Sequence, residues 1–286
     1  KELIIRNYPG EKAIISSGIT LDLKWEKYKN GIMRAAVKGN PVMDMLIVNG
    51  DLRSMARYPD YDKTAVRFNG TSALATAPER VKKWKNPEGG YFHAMHSHDW
   101  GDFHYRITGK NEKGELQLEG GWQNNRPMGI HPENRMVENI FEELDAPGEW
   151  YYDKQEGWLY YYPLSDENIN ELVFETPQLK NLIEIAGTSS HPVKNITIEG
   201  IELTQTIRTF MEHYEPLLRS DWTIYRGGAV IFRGTEKCTL RDCYIHHVGG
   251  NGVFFDKYNR NSAVTGSYLT SIGASAICFV GDVAGE

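Results

Sequence analysis

Residues 89–105, GGYFHAMHSHDWGDFHY, place His93, His96, His98 and His104 in one short run, with Asp99 and Asp102 among them. The chain has nine histidines, so four of them stand here. Imidazoles and carboxylates at this density can ligate a metal, move protons or hydrogen-bond a polar ligand. Strand geometry separates these readings. His96 and His98 are two apart, so a strand puts both on one face, where they would bind zinc if a third ligand came from elsewhere. His93 falls on the opposite face. His104 is in phase with His98 but about 20 Å along a straight strand, and Trp100 and Gly101 mark a bend that would alter this. Without such a turn the four do not converge, so no metal ligand is assigned.

A second stretch, TFMEHYEPLLRSDWTIYRGG (209–228), mixes Glu212, His213, Glu215, Arg219, Asp221, Trp222 and Arg226 with Phe210, Leu217 and Leu218. Long loops without regular structure are commonly functional. Hydrolysis of a glycosidic bond needs two carboxyl groups, about 5–5.5 Å apart for retention and about 6.5–9.5 Å for inversion. One of them is kept protonated by burial or a like charge. Glu215 and Asp221 in this loop, and Asp256 just after an apolar strand, are the candidate catalytic carboxylates. Trp222 can stack on a sugar ring, and Arg219 can fork to a carboxylate. The alternative is that Glu215, Arg219 and Asp221 form a salt-bridge network that pins the loop.

Two further places carry candidate contacts to a substrate. His246 and His247 close a strand, and only one of them faces a given side. His247 is a candidate contact, beside the plainer reading of a turn histidine satisfied by backbone. The loop GGWQNNRPMGIHPENR (120–135) sets Gln123, Asn125, Arg126 and His131 beside Trp122. Planar polar groups next to an aromatic suit a sugar site, and Arg126 is the candidate there. An ordinary loop would have the same composition.

These residues need elements to position them, and the C-terminal part supplies a repeat. The apolar triplets Val230-Ile231-Phe232, Val253-Phe254-Phe255 and Ile277-Cys278-Phe279 recur at spacings of 23 and 24 residues. Each unit holds a short apolar strand, a polar turn, a second strand and a small-residue turn. No such unit can bury its apolar face alone, so stacked units must share a core. Short β-branched and aromatic runs between Gly and Asn select a parallel β-helix over helical repeats. Residues 179–206 and 3–18 fit further coils. From 20 to 178 the period is lost, and alternating strands with turn signals such as Asn49-Gly50 indicate a β-rich insertion. The expected organisation is a coil at 1–19, an inserted β-rich domain at 20–178, and parallel β-helix coils at 179–286. The fold class is all-β, a right-handed parallel β-helix of pectate-lyase-like kind.

Composition narrows the partners. The formal net charge of -6 offers no basic field for nucleic acid. No run reaches transmembrane length. Three cysteines, Cys238, Cys243 and Cys278, do not make a disulfide scaffold, and their odd number leaves at least one free thiol. Both ends read as strands already under way, so both are expected to continue, and the missing leader says nothing about secretion.

Three blocks carry a resemblance to a known family: VNGDLRSMARYPDYD (48–62), ENIFEELDAPGEWYYDKQEGWLYYYPL (138–164) and EPLLRSDWTIYRGGAVIFRGTEKCTLRDCYIHHVGGNGV (215–253). They are similar to right-handed parallel β-helix proteins of bacteria, and resemble glycoside hydrolase family 141, whose members act on plant cell-wall polysaccharides as a fucosidase or a xylanase. The resemblance implies a secreted or periplasmic, monomeric glycoside hydrolase with a polysaccharide or oligosaccharide substrate and no obligatory cofactor. It also implies that the GGYFHAMHSHDWG stretch of the insertion turns a histidine, His93 or His98, and Trp100 toward substrate. The family's Gly-Asp-His-Gly setting for its catalytic aspartates does not occur in this sequence, so that pair is not carried over. Two other classes stay open: a polysaccharide lyase with Ca²⁺, and a non-catalytic glycan-binding β-helix.

Overall fold

The computed structural model describes residues 1–124, 129–216 and 223–282. The fold is all-β. Among the described residues, helix is confined to the single turn Pro78–Val81 and three short 3-10 turns. The chain divides into two compact units, one of Lys1–Ile19, Thr176–Thr209 and Tyr225–Glu286, the other of Thr20–Glu175 and Phe210–Ile224.

The first unit consists of three parallel sheets. One holds Leu3–Arg6, Ile196–Glu199, Thr239–Arg241 and Ala263–Thr265 in that order. The second holds Ala13–Ser16, Ile201–Thr206, Tyr244–Val248 and Tyr268–Leu269; the third holds Ile183–Ala186, Val230–Glu236, Val253–Arg260 and Ile277–Val280. From residue 183 onward the chain visits the third, first and second sheets in turn and then starts again. The apolar triplets are the register of the third sheet: Val230 pairs with Val253 and Val253 with Ile277. Period-two alternation then sends like residues inward on every strand. Ile198, Leu240, Leu203, Ile245, Ile185, Phe232 and Phe255 share one core. Phe232, Phe255 and Phe279 stack at 4.8 and 4.4 Å between ring centroids. Cys238 and Cys243 belong to this core as small hydrophobes.

The turns between the first and second sheets need left-handed backbone, at Gly200, Asp242 and Gly266. At Gly200 a Cβ would stand 2.5 Å from Asn7 Oδ1, so a larger residue would have to displace the Asn7 side chain as well as hold a left-handed backbone.

The second unit is built from antiparallel sheets. A five-stranded sheet runs in the order Leu116–Gly120, Asp102–Lys110, Tyr91–His96, Ile130–Glu138, Arg57–Tyr58. Its apolar face packs Phe92, Ala94, Ile107 and Val137 against Val81, Trp84 and Ile140. The aromatic hairpin Trp150–Asp153 with Trp158–Tyr161 pairs onward to Met33–Ala36. Its inward residues Trp150, Tyr152, Leu159 and Tyr161 form a second core with Leu46, Val48 and Phe174. These rings are therefore structural. Within Phe210–Ile224, Glu215–Pro216 pairs antiparallel with Thr223–Ile224.

Candidate functional site

The five-stranded sheet has one apolar face and one polar face. On the strand Tyr91–His96, Phe92 and Ala94 enter the core, and His93 points the other way. The strand ends at His96, and residues 97–101 turn the chain back, with Asp99 and Gly101 in left-handed conformations. The hairpin that follows sets His104 directly opposite His93. This corrects two expectations drawn from a straight strand. His104 is not about 20 Å from its neighbours; its Nδ1 lies 2.6 Å from Nδ1 of His93. His96 and His98 do not share a strand face, since His98 lies in the turn, where its backbone N–H donates to His96 Nδ1.

Carboxylates bracket the histidine pair. His93 Nε2 is 3.2 Å from Glu138 Oε1, which reaches it from Ile130–Glu138. His104 Nε2 is 3.4 Å from Asp102 Oδ2, two residues earlier on the same strand face. His93 and Glu138 are buried, whereas Asp102 stays half-exposed. Burial pushes the Asp102 carboxyl up, but the hydrogen bond and charge of His104, with the charge of His93, outweigh it and hold the group below the usual range. The result is a row of close-set polar side chains, Asp102, His104, His93 and Glu138, running from the half-exposed Asp102 to the buried Glu138.

Aromatic rings and an arginine close this row in. Phe210 lies 5.1 Å from the centroids of both histidine rings and of Tyr91. Phe68 packs at 6.1 and 6.2 Å from the two histidines. The loop that bears Phe68 is fixed by Arg57, whose guanidinium donates to the carbonyls of Pro59, Phe68 and Gly70. Arg57 itself is buried, which lowers its affinity for its proton, and the charge of Glu138 opposes that.

Gln123 ties the segment after Phe210 to the same place. Its Oε1 accepts from the His104 backbone N–H at 3.0 Å, and its Nε2 donates to Phe210 O at 2.8 Å. Trp122 Nε1 donates to Glu212 O, and Thr223 Oγ1 donates to Gln123 O.

Glu149 is a second unusual acid in this unit. Its side chain is buried, with Oε2 accepting from the Ala146 N–H at 3.3 Å and Oε1 without a hydrogen-bond partner among the described residues. Burial, reinforced by the charges of Asp60 and Asp145, raises its carboxyl to about 8. It therefore stays protonated near neutral pH.

The other residues expected to act at a site are scattered. His98 is exposed in the turn, with Ser97 Oγ on its Nδ1. Trp100 is 52% exposed, and its indole lies nearly parallel to the His96 ring at 5.8 Å. Glu215 sits in the short hairpin opposite Ile224. Asp256, in the first unit, is buried, and both oxygens accept from arginines: Oδ1 from Arg226 Nη1 at 2.7 Å and Oδ2 from Arg233 Nε at 2.5 Å. His247 holds a left-handed backbone, and its Nδ1 lies 3.1 Å from Nδ1 of His246. His246 in turn meets Glu202, whose other oxygen pairs with Lys12. Arg126, Arg219, Asp221 and Trp222 lie outside the described residues.

Glu138, Asp102, Phe210 and Glu149 were not singled out from the sequence as site residues. A signal for the His93–His104 pairing does exist. A turn centred on His98-Asp99 between two alternating runs fixes which residues face each other. Nothing local marks Glu138 or Glu149. Among the described residues, no three His, Cys, Asp or Glu side chains converge as metal ligands, and no helix is long and apolar enough to cross a membrane.

No family model matches the sequence, and no curated protein sequence matches it. A solved structure named "Glycoside hydrolase" is similar in fold, with a TM-score of 0.70 and 18% sequence identity. The similarity covers 93% of this chain, which spans 56% of that structure's chain.

Proposed function

We propose that this chain is part of a glycoside hydrolase that acts on plant cell-wall polysaccharide or oligosaccharides derived from it. The supporting observation is the fold: three parallel sheets interrupted by an antiparallel unit, similar over nearly the whole chain to a structure named glycoside hydrolase. In this reading the first unit is a run of right-handed parallel β-helix coils and the second is an insertion between coils. The enzyme works outside the cytoplasm, as a monomer and without an obligatory cofactor.

Hydrolysis would use a carboxyl pair across the scissile bond. We assign Glu215 and Asp221, both in the segment after Phe210, as the pair to test first. Asp256 is assigned the structural role, because it is buried and each of its oxygens is held by a guanidinium, which leaves neither facing a substrate. Trp100, with His98 beside it, is a stacking surface for a sugar ring, because its exposed indole face offers a large rigid area to an apolar sugar face; Trp222 is assigned the same role from its residue type alone. Arg126, Arg219 and His247 complete the set of proposed substrate contacts; His93 is left out, because it is buried with both ring nitrogens engaged by His104 and Glu138.

The test is release of products from a panel of plant cell-wall glycans. New reducing ends without an unsaturated uronate would support hydrolysis, with Glu215→Gln or Asp221→Asn abolishing release. An unsaturated product that requires Ca²⁺ would mean a lyase. Binding with neither product would mean a recognition module.

A further inference from the structure

The strand Leu116–Gly120 lies at one edge of the five-stranded sheet and pairs with Asp102–Lys110 only as far as Gly120 opposite Tyr105. At His104 the Gly121 N–H still donates to the carbonyl. The His104 N–H turns to a side chain instead, Gln123 Oε1 at 3.0 Å. A primary amide accepts on its oxygen and donates from its nitrogen, so it can extend a backbone ladder in both directions. Gln123 does this, with Nε2 donating to Phe210 O at 2.8 Å. Its own carbonyl accepts from Thr223 Oγ1, and Trp122, the residue before it, donates Nε1 to Glu212 O at 2.7 Å. Two consecutive residues thus hold three points of a segment 87–100 positions later.

Those three points bracket Glu215. Phe210 and Glu212 precede it, and Thr223 stands opposite Pro216 in the short hairpin where Glu215 faces Ile224. Trp122 and Gln123 reach backbone carbonyls, so they fix the path of the segment whichever way the Glu215 side chain turns. Gln123 is buried. Removing its amide takes a partner from both the His104 N–H and the Phe210 carbonyl where water has little access, which costs more than losing an exposed hydrogen bond.

We propose that Gln123 is a positioning residue: it extends the edge of the five-stranded sheet to the hairpin of Glu215 and so sets where that carboxyl stands. A group displaced by about 1 Å from its reacting geometry can lose about a hundredfold in rate, so a tether on the backbone beside it acts on turnover without touching substrate. Trp122 and Thr223 are the second and third tethers. The catalytic consequence rests on the assignment of Glu215 proposed above; the hold on the hairpin does not.

The experiment compares the whole chain with Gln123→Met, which keeps the length of the side chain and loses both of its hydrogen bonds, and with Thr223→Val, which loses only the hydroxyl. Amide hydrogen exchange is followed at Phe210–Glu215 and Thr223–Ile224, with the strand Tyr91–His96 as reference. Exchange in the hairpin should rise about tenfold in Gln123→Met and about threefold in Thr223→Val, while the reference strand is unchanged. Unchanged exchange in the hairpin, or an equal rise in the reference strand, would overturn the proposal. On a cell-wall glycan that the parent cleaves, kcat should fall about tenfold or more in Gln123→Met with KM within about threefold. A loss carried by KM alone would overturn the positioning role. A parent that cleaves none of the glycans would sink the glycosidase reading instead, and the exchange measurement then decides the hold on the hairpin by itself. If Gln123→Met fails to fold, Thr223→Val serves for both measurements.

Discussion

Replacing Glu149 by Gln should make this protein more stable, and by an amount that grows with pH. The folded carboxyl keeps its proton up to about 8, against an ordinary value of 4.5 in the unfolded chain. Between those values the folded state holds a proton that the unfolded state has released. Stability therefore falls as pH rises, by about 1.4 kcal/mol per pH unit, and levels off above about 8. At pH 7 the accumulated cost is about 3 kcal/mol. Gln reproduces the shape of the protonated acid: its oxygen can accept from the Ala146 N–H as Oε2 does, and it has no proton to lose in this range. Urea or thermal unfolding of both proteins from about pH 4.5 to about pH 9 isolates the effect, because every other titrating group cancels in the difference. The variant should match the parent near the acid end and gain about 3 kcal/mol by pH 7, which is about 6–12 °C in Tm for a unit of this size. A difference that does not change with pH would refute the reasoning. It would mean that the carboxyl is ionised in the folded state.

Other substitutions test the remaining assignments. Arg226→Met should destabilise the first unit by about 3–5 kcal/mol, since it strips a buried carboxylate, Asp256, of one partner; equilibrium unfolding reads this directly, and a loss below about 1 kcal/mol would argue that water replaces the arginine. Phe255→Ala removes the middle of an aromatic stack in the core of the first unit and should cost about 3–5 kcal/mol. Trp100→Ala should leave Tm within a few degrees, because the indole is half-exposed. It should weaken binding of soluble plant oligosaccharides about tenfold in a titration, and equal affinity in the two proteins would remove Trp100 from the proposed surface.

Much of the first unit is legible in the sequence because its pairings are short-range and repeated. Val230, Val253 and Ile277 recur at spacings of 23 and 24 residues, and they are register partners in one sheet. A parallel strand pair reached after one fixed run of residues writes its register into the spacing. The left-handed turns at Asp242 and Gly266 follow the same repeat. The candidate site is less legible. Its histidines announce themselves by type, but a strand read without its turn places His104 far from His93. The residues 97–101 invert the chain and bring the two rings into contact. Phe210 lies 106 residues beyond His104, and no local pattern joins them.

Composition and periodicity by themselves determined the all-β class and the parallel pairing register, because each depends on neighbours a fixed number of residues away. Tertiary structure alone decided which polar residues meet and which carboxyl stays neutral. Glu138 reaches His93 from a strand whose sequence reads as ordinary amphipathic β, and Glu149 is perturbed by burial and by the charges of Asp60 and Asp145. Desolvation and charge act through space, at distances that the order of residues along the chain does not record.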